Sequence, residues 1–154
     1  MHNSLIPNLM VEDVCETALF YQDVLGFKFM VGVADFEKEM QDGNIVVELK
    51  KGLKLDWANI KKDPETPASE EFMFQSRKSL EHDVPALKGA SIAASQTLYL
   101  RTDDVDAHFA AIKDKVEVLQ TPVTRFYGMR EWYFKDINGY ILCYGQEQGA
   151  TGSD

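Results

Sequence analysis

Cysteine is scarce in this chain of 154 residues: Cys15 and Cys143 are the two present. Neither stands in a C-x-x-C or other metal-type spacing, which argues against a disulfide framework and against a zinc ribbon. Isolated thiols suit a reducing cytoplasm. Histidine is scarce as well, with His2, His82 and His108 in no converging spacing. No apolar run approaches the roughly 18 residues of a membrane span. The opening MHNSLIPNLMVED lacks the basic stretch and long apolar run of a signal peptide. Positive charge is in deficit, with 16 Lys and Arg against 25 Asp and Glu and a net charge of −9. Nucleic acid phosphates demand a basic face, so a nucleic-acid partner is not expected. G-x-S-x-G, P-loop and Rossmann glycine patterns are all missing.

What is present is the balance of a globular protein, 45% apolar and 27% charged. A chain of this length buries a core without staples. The acidic excess is compatible with a cationic ligand, although solubility is its plainer reading.

Residues 5–11 read as a short apolar strand, with Pro7 near its start. Asp13 is an expected N-cap, with Glu16 three residues on as in a capping box. Val14, Ala18, Tyr21 and Leu25 share a helical face, which Gly26 ends. Residues 27–33 alternate as a strand, and 36–40 and 44–49 read as two strands joined at Asp42-Gly43. Residues 61–71 (KKDPETPASEE) form a loop, 71–75 a strand, and 79–89 a short helical pattern interrupted by Pro85. Residues 97–101 are a strand. Asp103 or Asp104 then caps a helix whose core face is Val105, Phe109, Ile112 and Val116. Residues 130–134 and 140–144 are strands joined by the turn Asp136-Ile137-Asn138-Gly139.

A repeat runs through this pattern. Val11-Glu12-Asp13-Val14 falls on Thr102-Asp103-Asp104-Val105, and the same offset carries Ala18, Tyr21 and Leu25 onto Phe109, Ile112 and Val116. Strand, acidic cap and helix face recur in register, as in a duplicated βα unit.

The stretch LIPNLMVEDVCETALFYQDVLGF resembles the opening of vicinal-oxygen-chelate proteins, the glyoxalase/bleomycin-resistance/dioxygenase superfamily. YGMREWYFKDINGYILCY resembles their last hairpin. The resemblance implies an α+β fold of two tandem βαβββ modules with curved mixed sheets forming a ligand cleft. The implied modules are residues 1–75 and 96–148, with 76–95 as linker and 149–154 as tail. It also implies a homodimer.

Family enzymes hold a divalent metal with His and Glu side chains. The resemblance places those positions at Ile6, Thr97, Cys143 and Glu48. Ile6 carries no donor, Thr97 is a weak ligand, and Cys143 is too soft for an oxygen-rich site. Glu48 is the one matching ligand position, and its plainer reading is a sheet carboxylate facing solvent. No metal or other cofactor is therefore expected. Cys143 reads as a small core hydrophobe rather than a nucleophile.

The comparison shifts toward the metal-free, bleomycin-resistance-like branch, whose members sequester a large cationic, aromatic-bearing antibiotic. Such binding needs aromatic faces and acidic groups. Candidate ligand-binding residues are Trp57, Phe126, Tyr127, Arg130, Glu131, Trp132 and Phe134. Trp132 and Phe134 share one strand face, and Tyr133 takes the other. Arg130 either meets an anionic ligand group or pairs with a carboxylate within the fold. The expected function is metal-independent binding of a small molecule, cationic or aromatic, by a cytoplasmic protein. The alternative is a metal-dependent lyase, isomerase or dioxygenase-type enzyme acting on a small oxygen-bearing substrate.

Overall fold

The computed structural model describes residues 4–38 and 44–148. The chain divides into two compact units, Met1–Ser91 and Ile92–Asp154. The fold is α+β, with one curved mixed sheet of five strands and one of four. Among the described residues no helix is long and apolar enough to cross a membrane.

Unit 1 runs β1 (Asn8–Val11), α1 (Val14–Asp23), β2 (Lys28–Val33), β3 (Ile45–Val46), β4 (Trp57–Lys61), β5 (Glu71–Ser76) and α2 (Arg77–Asp83). Its strand order is β1-β5-β4-β2-β3, with β1 parallel to β5 and the other pairs antiparallel. Asp13 caps α1 by accepting the Glu16 N–H at 2.9 Å. At the other end Gly26 takes φ +77°, and the Phe27 N–H closes on the Tyr21 carbonyl at 2.9 Å. A left-handed residue there lets the chain leave the helix with its last carbonyls satisfied. Val14, Ala18 and Tyr21 are buried against Ile60, Phe72 and Phe74, and the Tyr21 and Phe74 ring centroids lie 4.8 Å apart. Fully burying one such large side chain contributes roughly 1.5–3 kcal/mol.

Several elements of unit 1 differ from the sequence expectation. β1 begins at Asn8, and Leu5 is 90% exposed. Phe36 to Lys38 form a turn rather than a strand. Asp35 takes φ 63°, the Phe36 N–H donates to Asp56 Oδ2, and the Lys38 N–H donates to the Asp35 carbonyl, so these donors are spent locally. The hairpin expected at Asp42-Gly43 lies outside the described residues. The strand expected over 44–49 contracts to Ile45–Val46, the pair that meets Val33 and Gly32. β4 was not foreseen, although fully buried Ala58 and Ile60 alternate with half-buried Trp57, Asn59 and Lys61. The expected linker carries α2, which packs on β5 and β1.

Unit 2 runs β6 (Thr97–Arg101), α3 (Val105–Ile112), β7 (Glu117–Thr124), β8 (Met129–Lys135) and β9 (Ile141–Glu147), in the order β6-β9-β8-β7. The cap is Asp104, which accepts the Ala107 N–H at 3.0 Å. β6 is parallel to β9, as β1 is to β5. The first-last-third-second order thus recurs, with β3 added at the edge of unit 1. Helix α3 gives way to a 3-10 turn at Lys113–Lys115, so Val116 lies past the helix rather than on its face. β7 is an edge strand containing Pro122, whose missing N–H an edge tolerates. In the turn before β9, Asp136 Oδ1 accepts from the Asn138 and Tyr140 N–H groups, and Gly139 takes φ 93°.

Candidate functional site

Strand alternation gives the second sheet two faces. One packs on α3. Trp132 and Phe134 lie there fully buried, their rings stacked at 4.6 Å. The Trp132 indole N–H donates to His108 Nδ1 at 3.2 Å, and Phe109 meets the indole edge-on. Arg130 is on the same side. Its guanidinium holds both carboxylate oxygens of Asp106 through Nε, at 3.2 and 3.0 Å, and adds Nη2 at 2.9 Å. Hydrogen bonding to Arg130 keeps the Asp106 carboxyl below the usual range. Three of the expected ligand residues are thus committed to packing on α3, because their strand parity points them at the helix.

The opposite face carries Tyr99, Glu131, Tyr133, Cys143 and Gly145. Glu131 is 2% exposed, and its carboxylate is held on both oxygens. The Tyr99 hydroxyl donates to Oε2 at 2.5 Å, and the Tyr127 hydroxyl to Oε1 at 2.6 Å. Arg125 Nε reaches Oε1 at 3.4 Å, while its Nη2 donates to Gln120 Oε1 at 3.0 Å. Tyr99 stands on β6 and Glu131 on β8, so the tyrosine must cross β9. It crosses at Gly145, where a Cβ would fall 2.1 Å from the Tyr99 hydroxyl oxygen. Any side chain at that position would evict the ring. The Tyr99 and Tyr127 rings remain 45% and 53% exposed, and Phe126, at the hairpin tip, is 98% exposed.

Burial, reinforced by the bond to Glu131, pushes the Tyr99 phenol up, and the same bond, followed by burial, raises Tyr127. Tyr133 and Cys143 are cross-strand partners on β8 and β9. Burial pushes Tyr133 to about 12 and Cys143 to about 11. All of these groups are protonated at neutral pH, and Cys143 is a buried thiol rather than a poised nucleophile.

At the ends of β6 and β9 lies a depression of about 510 Å³, lined by Arg101, Thr102, Asp103, Gly145, Gln146 and Glu147, which shares Gly145 with this face. Arg101 makes no ion pair among the described residues. The structure therefore brings together Phe126, Tyr127 and Glu131 from the expected set and adds Tyr99, Arg125 and Gly145. The signal for these was modest: alternation in TLYLR puts Tyr99 and Arg101 on one face, and a glycine inside a strand marks close approach.

Trp57 belongs to unit 1. It lines a cavity of about 380 Å³ with Val33, Phe36, Lys38, Asn44, Gln75, Ser79 and Asp83. Trp57 pairs with Gln75 as Glu131 pairs with Gly145, so it stands at the register position that Glu131 fills in unit 2.

The family's metal can be tested against its four expected positions. Ile6 precedes β1 and has no donor atom, and Thr97 is exposed at the start of β6. Cys143 is fully buried and protonated. Glu48, expected on a strand, is exposed in a bend beyond β3. His82 is exposed on α2, and His108 accepts from Trp132. Among the described residues no three or more His, Cys, Asp or Glu side chains converge to hold an ion. This donor set does not fit a divalent metal of the family type.

The sequence matches no functionally curated protein. Among solved structures, a protein of unknown function from Agrobacterium tumefaciens str. C58 is 22% identical, with a TM-score of 0.63 over 96% of this chain and 95% of that one. TnmS3, an antibiotic binding protein from Streptomyces sp. CB03234, is 20% identical, with a TM-score of 0.63 over 96% and 98%. A glyoxalase-related enzyme from Clostridium phytofermentans is 14% identical, with a TM-score of 0.65 over 96% of both chains. These likenesses are of fold, which hosts both binders and enzymes. The model of the Glyoxalase/Bleomycin resistance protein/Dioxygenase superfamily matches residues 5–144, and the chain belongs to that superfamily.

Proposed function

We propose that this protein binds and sequesters a small aromatic, cation-bearing molecule on the Glu131 face of unit 2, without a metal. The observation that carries the reading is the bridge of Tyr99 across Gly145 to a carboxylate that is 2% exposed. It fixes half-exposed tyrosine rings on this face, and Gly145, which the Tyr99 ring crosses, also lines the depression of about 510 Å³. Rings held in this way offer stacking and cation–π contact at little entropic cost. Glu131, Asp103 and Glu147 outnumber Arg101 and Arg125 around this face, which favours a cation. Arg125 makes the longest contact to Glu131, 3.4 Å, and is the group that an incoming ammonium displaces. The antibiotic-binding neighbour lends support by analogy of fold.

The enzyme alternative draws no support from the donor set. Two buried free thiols suit a reducing cytoplasm. The homodimer implied by the family is tested by light scattering on purified protein.

The test of function is calorimetric titration of chelator-treated protein with metal-free bleomycin. Micromolar binding that weakens in Tyr99→Ala and Gly145→Val is expected. Absence of binding, or binding indifferent to both substitutions, would remove this reading.

A further inference from the structure

We infer that the Trp57 cavity of unit 1 is a separate binding site, shaped for a planar heteroaromatic ring that carries an amino or ammonium group. This inference goes beyond the Glu131 face and does not depend on it. The two tryptophans of the chain make the case. Trp132 has its indole nitrogen bonded to His108 and the rings of His108, Phe109 and Phe134 packed around it. Trp57 is half-buried and has neither a hydrogen-bond nor a ring partner among the described residues. An indole N–H is a donor and nothing else, so the atom that meets it in the ring plane is an acceptor, such as a ring nitrogen. Val33, Phe36 and Trp57 supply apolar walls, and about 380 Å³ lies within the range of small-molecule sites.

The polar wall is oriented rather than loose. Gln75 is 6% exposed and held at both ends of its amide: it accepts from Asn8 and donates to Ser79 Oγ and Asp83 Oδ2, each at 2.8 Å. Gln75 therefore aims Asp83 and has no amide hydrogen left to give a ligand. The Asp83 side chain is 57% exposed, with His82 Nδ1 at 3.4 Å as its other neighbour. Lys38, also on the lining, is paired with Asp35 at 3.5 Å. A carboxylate held in place beside apolar rings selects a cationic or donor-bearing substituent.

The test uses three probes on the full chain: 9-aminoacridine (planar, cationic), acridine (the same rings, uncharged at neutral pH) and 1-naphthalenesulfonate (anionic). Tryptophan emission and equilibrium dialysis are the readouts. Expected is quenching by 9-aminoacridine that disappears in Trp57→Phe, together with binding tighter than that of acridine. Asp83→Asn, which keeps an acceptor for Gln75, should weaken 9-aminoacridine roughly threefold, as for an exposed charge pair, and leave acridine unchanged. Gly145→Val, which disables the unit 2 face, should leave the Trp57 quenching unaltered, with any loss confined to the stoichiometry read by dialysis, and so separates the two proposals. The inference is overturned if no probe binds, if quenching persists in Trp57→Phe, if Asp83→Asn affects both acridines alike, or if the sulfonate binds most tightly. Should Trp57→Phe fail to fold by circular dichroism, the Asp83→Asn pair of titrations decides alone.

Discussion

Trp57 and Glu131 occupy the same register position in the two units, opposite Gln75 on β5 and Gly145 on β9. The backbone plan around them is shared: a first strand parallel to the last, and an aspartate cap after it. The side chains on the open face have diverged. In unit 1, Gln75 fills its position and ties the sheet to α2, which leaves Trp57 beside a cavity. In unit 2, the missing side chain of Gly145 lets Tyr99 reach across the strand and lock a carboxylate. The contrast separates what the fold needs, namely caps, strand order and helix-facing rings, from what a ligand would read.

The largest effect is expected where the two tryptophans are compared. Trp132→Ala removes a fully buried ring and should cost about 3–5 kcal/mol in urea unfolding. Trp57→Ala, from a half-buried position, should cost much less. Equal costs would mean that Trp57 is as structural as Trp132. Next is Gly145→Ala. Displacing Tyr99 leaves a buried carboxylate short of one donor, which should cost about 1–3 kcal/mol. In a double-mutant cycle with Tyr99→Phe the two losses should be strongly non-additive, since both break one contact. Additive losses would show that Gly145 acts elsewhere.

A smaller effect concerns alkaline pH. Cys143 rises from its ordinary 9.0 to about 11, and Tyr133 from 10.0 to about 12. A folded-state value above the unfolded one means that stability is fully present below about pH 9 and is lost as pH rises through the folded values. Melting temperature should therefore fall progressively above pH 9, and less steeply in Cys143→Ala. Unit 1 has Met73 at the Cys143 position, so it should contribute no matching loss. An identical alkaline profile for Cys143→Ala would assign the fall to other groups.

The repeat, the Asp13 cap and the core face of α1 were legible in the sequence, because capping and helical periodicity are local signals. So were β6, β8, β9 and the Asp136 turn. β4 and β7 were not: Trp57 places an apolar residue at a polar parity of one alternation, and Pro122 reads as a breaker until its edge position is known. Within the candidate site, Tyr127 and Glu131 are singled out in the sequence by residue type. Trp132, Phe134 and Arg130 were drawn in by the same criterion, although strand parity turns them toward α3. Parity is visible in a sequence, but which parity faces the helix is a tertiary fact. Tyr99 and Gly145 were missed because their role depends on β9 lying between β6 and β8, an order that no local pattern states.

Elemental analysis of purified protein, before and after chelator dialysis, bears most directly on metal-free binding. The expected result is substoichiometric zinc, iron, manganese and nickel, with melting temperature and bleomycin affinity unchanged by the chelator. A stoichiometric divalent ion whose removal abolishes binding, and whose return restores it, would contradict the reading built on Ile6, Thr97, Cys143 and Glu48.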